Sequence, residues 1–114
     1  VEVADSTWDA VQTGMRAVVS EGSAKDIFKD LEVEIAGKTG TAQENSRANH
    51  AWFISYGPYT NPEISVTVNI PYGYSSSNAA MVAKNIYRFY YGYTDLESIL
   101  GSGALEVSNV KVGD

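Results

Sequence analysis

From Leu31 onward the hydrophobic pattern has a period of two: Leu31, Val33 and Ile35 alternate with Glu32 and Glu34. Such alternation marks an extended chain with one half-buried face, so it predicts a first strand that begins at Leu31 and runs into Lys38-Thr39-Gly40-Thr41. Gln43 to Asn49 reads as a polar loop. A second strand follows over Ala51 to Tyr56, with Trp52, Ile54 and Tyr56 opposite Phe53 and Ser55. Asn61-Pro62 marks a turn, and Ile64, Val66, Val68 and Ile70 against Ser65, Thr67 and Asn69 give the clearest strand, with one buried face.

Helical spacing appears on both sides of this block. Trp8, Val11, Met15, Val18 and Val19 form one stripe, with Ser6 as a cap, Asp9 in a box-like position and Gly22 as a stop. Trp8 and Met15 read as core residues. Gly14 inside the stripe suggests close packing against another backbone. After Pro71 and Gly73, Ser75 to Asn78 supply caps for a second helix. Ala79, Val82, Ala83, Ile86, Phe89 and Tyr90 line one face, and Met81, Lys84, Asn85 and Arg88 the other, up to Gly92. The small residues at its start predict tight packing on the sheet. Ser23 to Asp30 is a polar connection anchored by Ile27 and Phe28. The expected fold is α+β: a helix, a three-stranded antiparallel sheet, and a C-terminal helix packed on the sheet. Residues 1–92 form the main unit and 93–114 a partly ordered extension, with a short helical possibility at Asp95 to Leu100 and an alternating patch at Leu105 and Val107.

Composition narrows the function. The 114 residues are 44% hydrophobic and 11% aromatic, enough for a packed core. With no cysteine and a single His, no disulfide framework and no thiolate or multi-His metal site is available, and no cofactor is expected. The net charge of -6 and scattered Lys and Arg argue against nucleic acid as a partner, which requires a basic footprint. No apolar run approaches a membrane span. The chain has no initiator Met and reads as a piece of something longer.

The candidate chemistry lies at the end of the first strand. Successive side chains of a strand point to opposite faces, so Lys38 and Gly40 share one face while Thr39 and Thr41 project together on the other. Gly40 leaves the backbone bare, so an extended peptide could lie alongside it and bond to main-chain groups. A phosphate loop also ends in Gly-Lys-Thr, but it needs a Gly six residues before the Lys, where this chain has Glu32 inside a strand pattern. His50 reads as structural, because a general base needs a nucleophile within reach. Tyr87, Tyr90, Tyr91 and Tyr93 read as packing and surface, and Glu32 and Glu34 as a solvated face.

Lys38-Thr39-Gly40-Thr41-Ala42-Gln43, followed by Asn49-His50-Ala51-Trp52-Phe53-Ile54 and Gly57-Pro58-Tyr59, resembles the class B penicillin-binding proteins, the transpeptidases that cross-link peptidoglycan. The resemblance runs from about Thr7 to Gly92. It implies that this block is the C-terminal part of a penicillin-binding, serine β-lactamase-like transpeptidase fold. The partner would be the rest of that domain, which carries the helical Ser-x-x-Lys with the nucleophile and base, the Ser-x-Asn, the remaining strand and the helical lobe. It further implies that Thr41 offers its N–H to the oxyanion, and that Thr39 and Thr41 hydroxyls grip the carboxylate of a D-Ala-D-Ala stem peptide or a β-lactam. Gly40 must stay small, and Lys38 raises the local positive potential.

The implied location is the extracytoplasmic face of the bacterial membrane, with any anchor in earlier sequence. Ser108-Asn109-Val110-Lys111 and Ser76-Ser77-Asn78 match the missing motifs formally but follow Lys38, reversing the family's order. The second is better explained as helix capping. The chain alone is therefore expected to be inactive. The competing readings are a non-catalytic peptide-binding or β-lactam-binding sensor and a fragment of a serine β-lactamase.

Overall fold

The computed structural model describes residues 1–100. In chain order it contains α1 (Asp5–Ser20), α2 (Lys25–Phe28), β1 (Ala36–Glu44), β2 (Arg47–Gly57), β3 (Ile64–Ile70), α3 (Ser76–Tyr90) and α4 (Leu96–Leu100). The three strands form one antiparallel sheet in the order β1-β2-β3, as the alternating pattern predicts.

One face of the sheet carries the core. Ala51, Phe53 and Ser55 of β2 and Val66 and Val68 of β3 are buried on it beneath Ala79, Ala80, Ala83 and Tyr87 of α3. Three alanines bring the α3 backbone close to the strands, which is the tight start the sequence predicts. Phe28 of α2 stacks on Phe53 with ring centroids 5.5 Å apart, and Lys84 donates to Asp30, tying α3 to the segment after α2. That ammonium holds the Asp30 carboxyl below the usual carboxylate range.

The polar centre of this core is a hydroxyl relay. Tyr87 donates to Ser55 Oγ at 2.9 Å, and Ser55 donates to the Val66 carbonyl at 2.9 Å. Burial pushes the Tyr87 phenol up to about 12, against the opposing bond to Ser55. An unfolded chain releases this proton near pH 10 while the folded one keeps it to about 12. The stabilisation is therefore complete below pH ~10 and is lost between about 10 and 12, a loss of about 3 kcal/mol by proton linkage. Urea denaturation across that range should show a falling midpoint, and Tyr87→Phe should flatten most of the fall. Burial also raises Tyr56 and Tyr91, which accounts for a remainder.

Several expectations are corrected. The first strand begins at Ala36, not Leu31. Leu31 and Val33 alternate because they pack against the core, while the carbonyls of Glu34 and Ile35 accept from Tyr59 N–H at 2.7 Å and from Arg16 at 2.8 Å instead of from a ladder. The polar loop at Gln43 to Asn49 is a tight hairpin turning at Asn45 and Ser46, with Asn45 at φ 40.

Helix α1 starts at Asp5 with no side-chain cap from Ser6, its first bonds running from Thr7 and Trp8 N–H to the Ala4 carbonyl. Its stripe is covered only towards the C-terminal end: Val19 is buried, whereas Trp8 and Val11 are 46% and 50% exposed. A Cβ at Gly14 would meet nothing within 4 Å, so among the described residues no other backbone packs against that turn of α1.

The buried face of α3 is rotated from the expected one. Val82, Ile86, Phe89 and Tyr90 are exposed and Tyr87 is inside. Val82, Ile86 and Phe89 instead wall a groove shared with Leu96, Ile99 and Leu100 of α4, which occupies the segment expected to be helical. Asp95 caps it by accepting from Ser98 N–H at 2.6 Å. Helix α3 is capped at its start by Ser75 Oγ, which accepts from Ser77 N–H at 3.3 Å, and Asn78 donates to the Gly73 carbonyl at 2.7 Å. Gly92, at φ 76, closes its end. The Leu105 and Val107 patch and Ser108 to Lys111 lie outside the described residues.

Candidate functional site

The Lys-Thr-Gly-Thr segment sits on β1, the outer strand of the sheet, so one side of it has no strand beside it among the described residues. Which groups face that open side follows from the ladder. In an antiparallel strand the N–H and C=O of a residue point the same way, and successive residues alternate. From the β3 side, Glu63 N–H donates to the Gly57 carbonyl at 2.9 Å and Tyr74 N–H to the Asn49 carbonyl at 3.0 Å. Odd-numbered residues of β2 thus bond towards β3, and His50, Trp52, Ile54 and Tyr56 bond towards β1. Their register partners are Ala42, Gly40, Lys38 and Ala36. The main-chain groups of Thr39 and Thr41 are left facing outward along the open edge.

Side chains sort in the other sense. Thr39 and Thr41 pair with Phe53 and Ala51 and lean to the helix-bearing face, while Lys38 and Gly40 pair with Ile54 and Trp52 on the opposite face. That grouping is the predicted one. The face carrying Lys38 and Gly40 is uncovered among the described residues, with Trp52 and Ile54 38% and 45% exposed. Lys38 is exposed and bends back to donate to the Thr39 carbonyl at 2.7 Å, which carries its positive charge to the same edge. Thr39 Oγ1 lies 3.1 Å from Ser23 Oγ. Ser23 belongs to a connection read from sequence as merely polar; no periodicity could have marked it.

The two glycines of β1 differ. A Cβ at Gly37 would lie 2.5 Å from Phe53 Cζ and 3.0 Å from the Ile54 carbonyl, so the core itself requires that glycine. A Cβ at Gly40 would meet, among the described residues, only Trp52 Cβ, at 3.4 Å, so none of them demands a bare position there. His50 braces the turn after β3: Tyr72 N–H donates to its Nδ1 at 3.2 Å, the two rings lie 4.9 Å apart, and Arg47 donates to the Tyr72 hydroxyl at 3.0 Å. Among the described residues no group of three or more His, Cys, Asp or Glu could hold a metal ion.

The family model for the penicillin-binding protein transpeptidase domain matches residues 1–88, and the chain belongs to that family. It is 38% identical to the peptidoglycan D,D-transpeptidase MrdA of Haemophilus influenzae, in an alignment covering 75% of this chain and 16% of that protein. Among solved structures it resembles PBP2 of Pseudomonas aeruginosa in complex with WCK 5153, at 36% identity and a TM-score of 0.71, covering 79% of this chain and 21% of that one. It also resembles penicillin-binding protein 2B of Streptococcus pneumoniae, at 25% identity and a TM-score of 0.73, over 84% of this chain and 17% of that one. The chain thus spans about a fifth or less of the relatives it matches.

Proposed function

We propose that this chain supplies the substrate-gripping edge of a serine-type peptidoglycan D,D-transpeptidase that β-lactams acylate, and that it is inactive without the portion carrying Ser-x-x-Lys and Ser-x-Asn. The observation that carries this reading is the outward main chain of Thr39 and Thr41 on a strand with one free edge. A D-Ala-D-Ala stem peptide laid along that edge would bond to it as an added strand does.

In such a complex the serine of the missing portion attacks the peptide or β-lactam carbonyl, and negative charge develops on its oxygen. Thr41 N–H is one donor to that oxygen, and the serine's own N–H is the other. Donors fixed in place before the reaction need no reorganisation when the charge appears. Thr39 and Thr41 hydroxyls take the ligand's carboxylate, and the Lys38 ammonium, already at the edge, favours it. A unit charge pair at 4 Å is worth about 1 kcal/mol in water and about 4 at an effective dielectric of 20, so this attraction grows once the missing portion closes the cleft.

Exposed Trp8, Val11, Trp52 and Ile54 are the apolar surface against which that portion would pack. The enzyme would work on the extracytoplasmic face of the bacterial membrane, with its anchor outside this chain. No described helix is long and apolar enough to cross a membrane.

The test is to join this chain with the portion carrying Ser-x-x-Lys, add a fluorescent penicillin and map the label by mass spectrometry. A lasting adduct on the serine of that portion is expected, with none on this chain. An adduct on this chain, or no adduct, contradicts the reading; rapid release of hydrolysed drug would assign the domain to the β-lactamases instead. Reversible stem-peptide binding by this chain alone would favour the sensor.

A further inference from the structure

The contact between Ser23 and Thr39 spans 16 positions of sequence and joins the α1–α2 connection to the candidate site. Its setting is rigid. Gly22 N–H donates to the Ala17 carbonyl at 2.8 Å, Ala24 N–H to the Val18 carbonyl at 3.0 Å and Lys25 N–H to the Gly22 carbonyl at 3.1 Å, so main-chain bonds hold both neighbours of Ser23. Ala24 is fully buried, and a Cβ at Gly22 would lie 2.9 Å from Val18 Cα. The turn therefore holds the Ser23 main chain beside β1, with its exposed side chain within reach of Thr39.

Two hydroxyls in contact hold two protons, and their mutual bond uses one. If Ser23 is the donor, Thr39 Oγ1 accepts and keeps its own proton for a third group. An isolated threonine hydroxyl can instead turn that proton towards a nearby carbonyl.

Resting on the proposed function above, we infer that Ser23 is a positioning residue: it donates to Thr39 Oγ1 and so aims the Thr39 proton outward at the carboxylate of a bound stem peptide or β-lactam. Ser23 itself touches neither the reacting carbonyl nor the oxyanion.

The test uses the complete transpeptidase domain and a penicillin supplied both as the free carboxylate and as its methyl ester. Wild type should acylate faster with the acid than with the ester. Ser23→Ala should reduce that preference about fivefold to tenfold, the effect of one oriented hydrogen bond, with ester acylation and thermal midpoint unchanged. Ser23→Thr, which keeps the hydroxyl, should restore the preference. The inference is overturned if Ser23→Ala leaves the acid-to-ester ratio at its wild-type value, or if it slows both substrates equally, as a purely structural loss would. Wild type that labels normally while the ratio stays fixed sinks the Ser23 role alone. Wild type that never labels sinks the underlying function with it.

Discussion

In the complete transpeptidase domain, Thr41→Pro is expected to slow acylation by penicillin about 100- to 1000-fold, the usual effect of losing one oxyanion donor, while barely moving the urea midpoint. The separation follows from the ladder. Thr41 N–H points to the open edge, so proline removes no inter-strand bond there, and edge strands tolerate it at outward positions. Gly40 before it has no side chain to clash with the ring. Thr41→Ala keeps the N–H and loses only the hydroxyl, and should cost about tenfold or less. Equal losses in the two variants would mean that the main-chain donor contributes nothing. A large fall in stability with Thr41→Pro would mean that its N–H is bonded within the fold.

The second large effect separates two glycines three residues apart on one strand. Gly37→Ala drives a methyl into Phe53, which is fully buried and stacked on Phe28. Overpacking of this kind costs about 1 to 3 kcal/mol, and urea denaturation should show it. Gly40→Ala meets ordinary contact at 3.4 Å, so its stability should stay within about 0.5 kcal/mol of wild type. If the ligand lies against Gly40 as proposed, the added methyl should nevertheless lower its penicillin acylation rate. If Gly40→Ala instead unfolds the domain and leaves acylation per folded molecule intact, Gly40 serves the fold and not the ligand.

What the sequence disclosed, and what it hid, has a physical pattern. Ile64 to Ile70 is legible because a strand buried on one face must alternate, and Lys38 to Thr41 because the same alternation fixes which of its side chains go together. Alternation also misled, since Leu31 and Val33 alternate by packing on the core without pairing to a strand. Helix α3 differs in phase from its apolar pattern because two apolar surfaces share it: the sheet takes the alanines and Tyr87, while Val82, Ile86 and Phe89 line a groove with residues of α4. A tyrosine inside and a valine outside contradict simple hydropathy. Ser55 Oγ resolves the contradiction by accepting from the Tyr87 hydroxyl.

Trp8 and Val11 follow helical spacing, yet the described residues leave them about half exposed, which fits the proposal that the rest of a larger domain packs there. Gly14 reads as a packing signal, yet among the described residues beyond its own helix none meets it. Ser23 was invisible because a lone serine in a polar connection acquires meaning only from what lies 3.1 Å away.

The most direct measurement is a crystal structure of the complete domain acylated by a penicillin. The ligand should lie along β1, its acyl oxygen within hydrogen-bond distance of Thr41 N–H and its carboxylate at the Thr39 and Thr41 hydroxyls. A ligand seated elsewhere, or another strand of the domain paired to the outer edge of Thr39 to Thr41, would contradict the account.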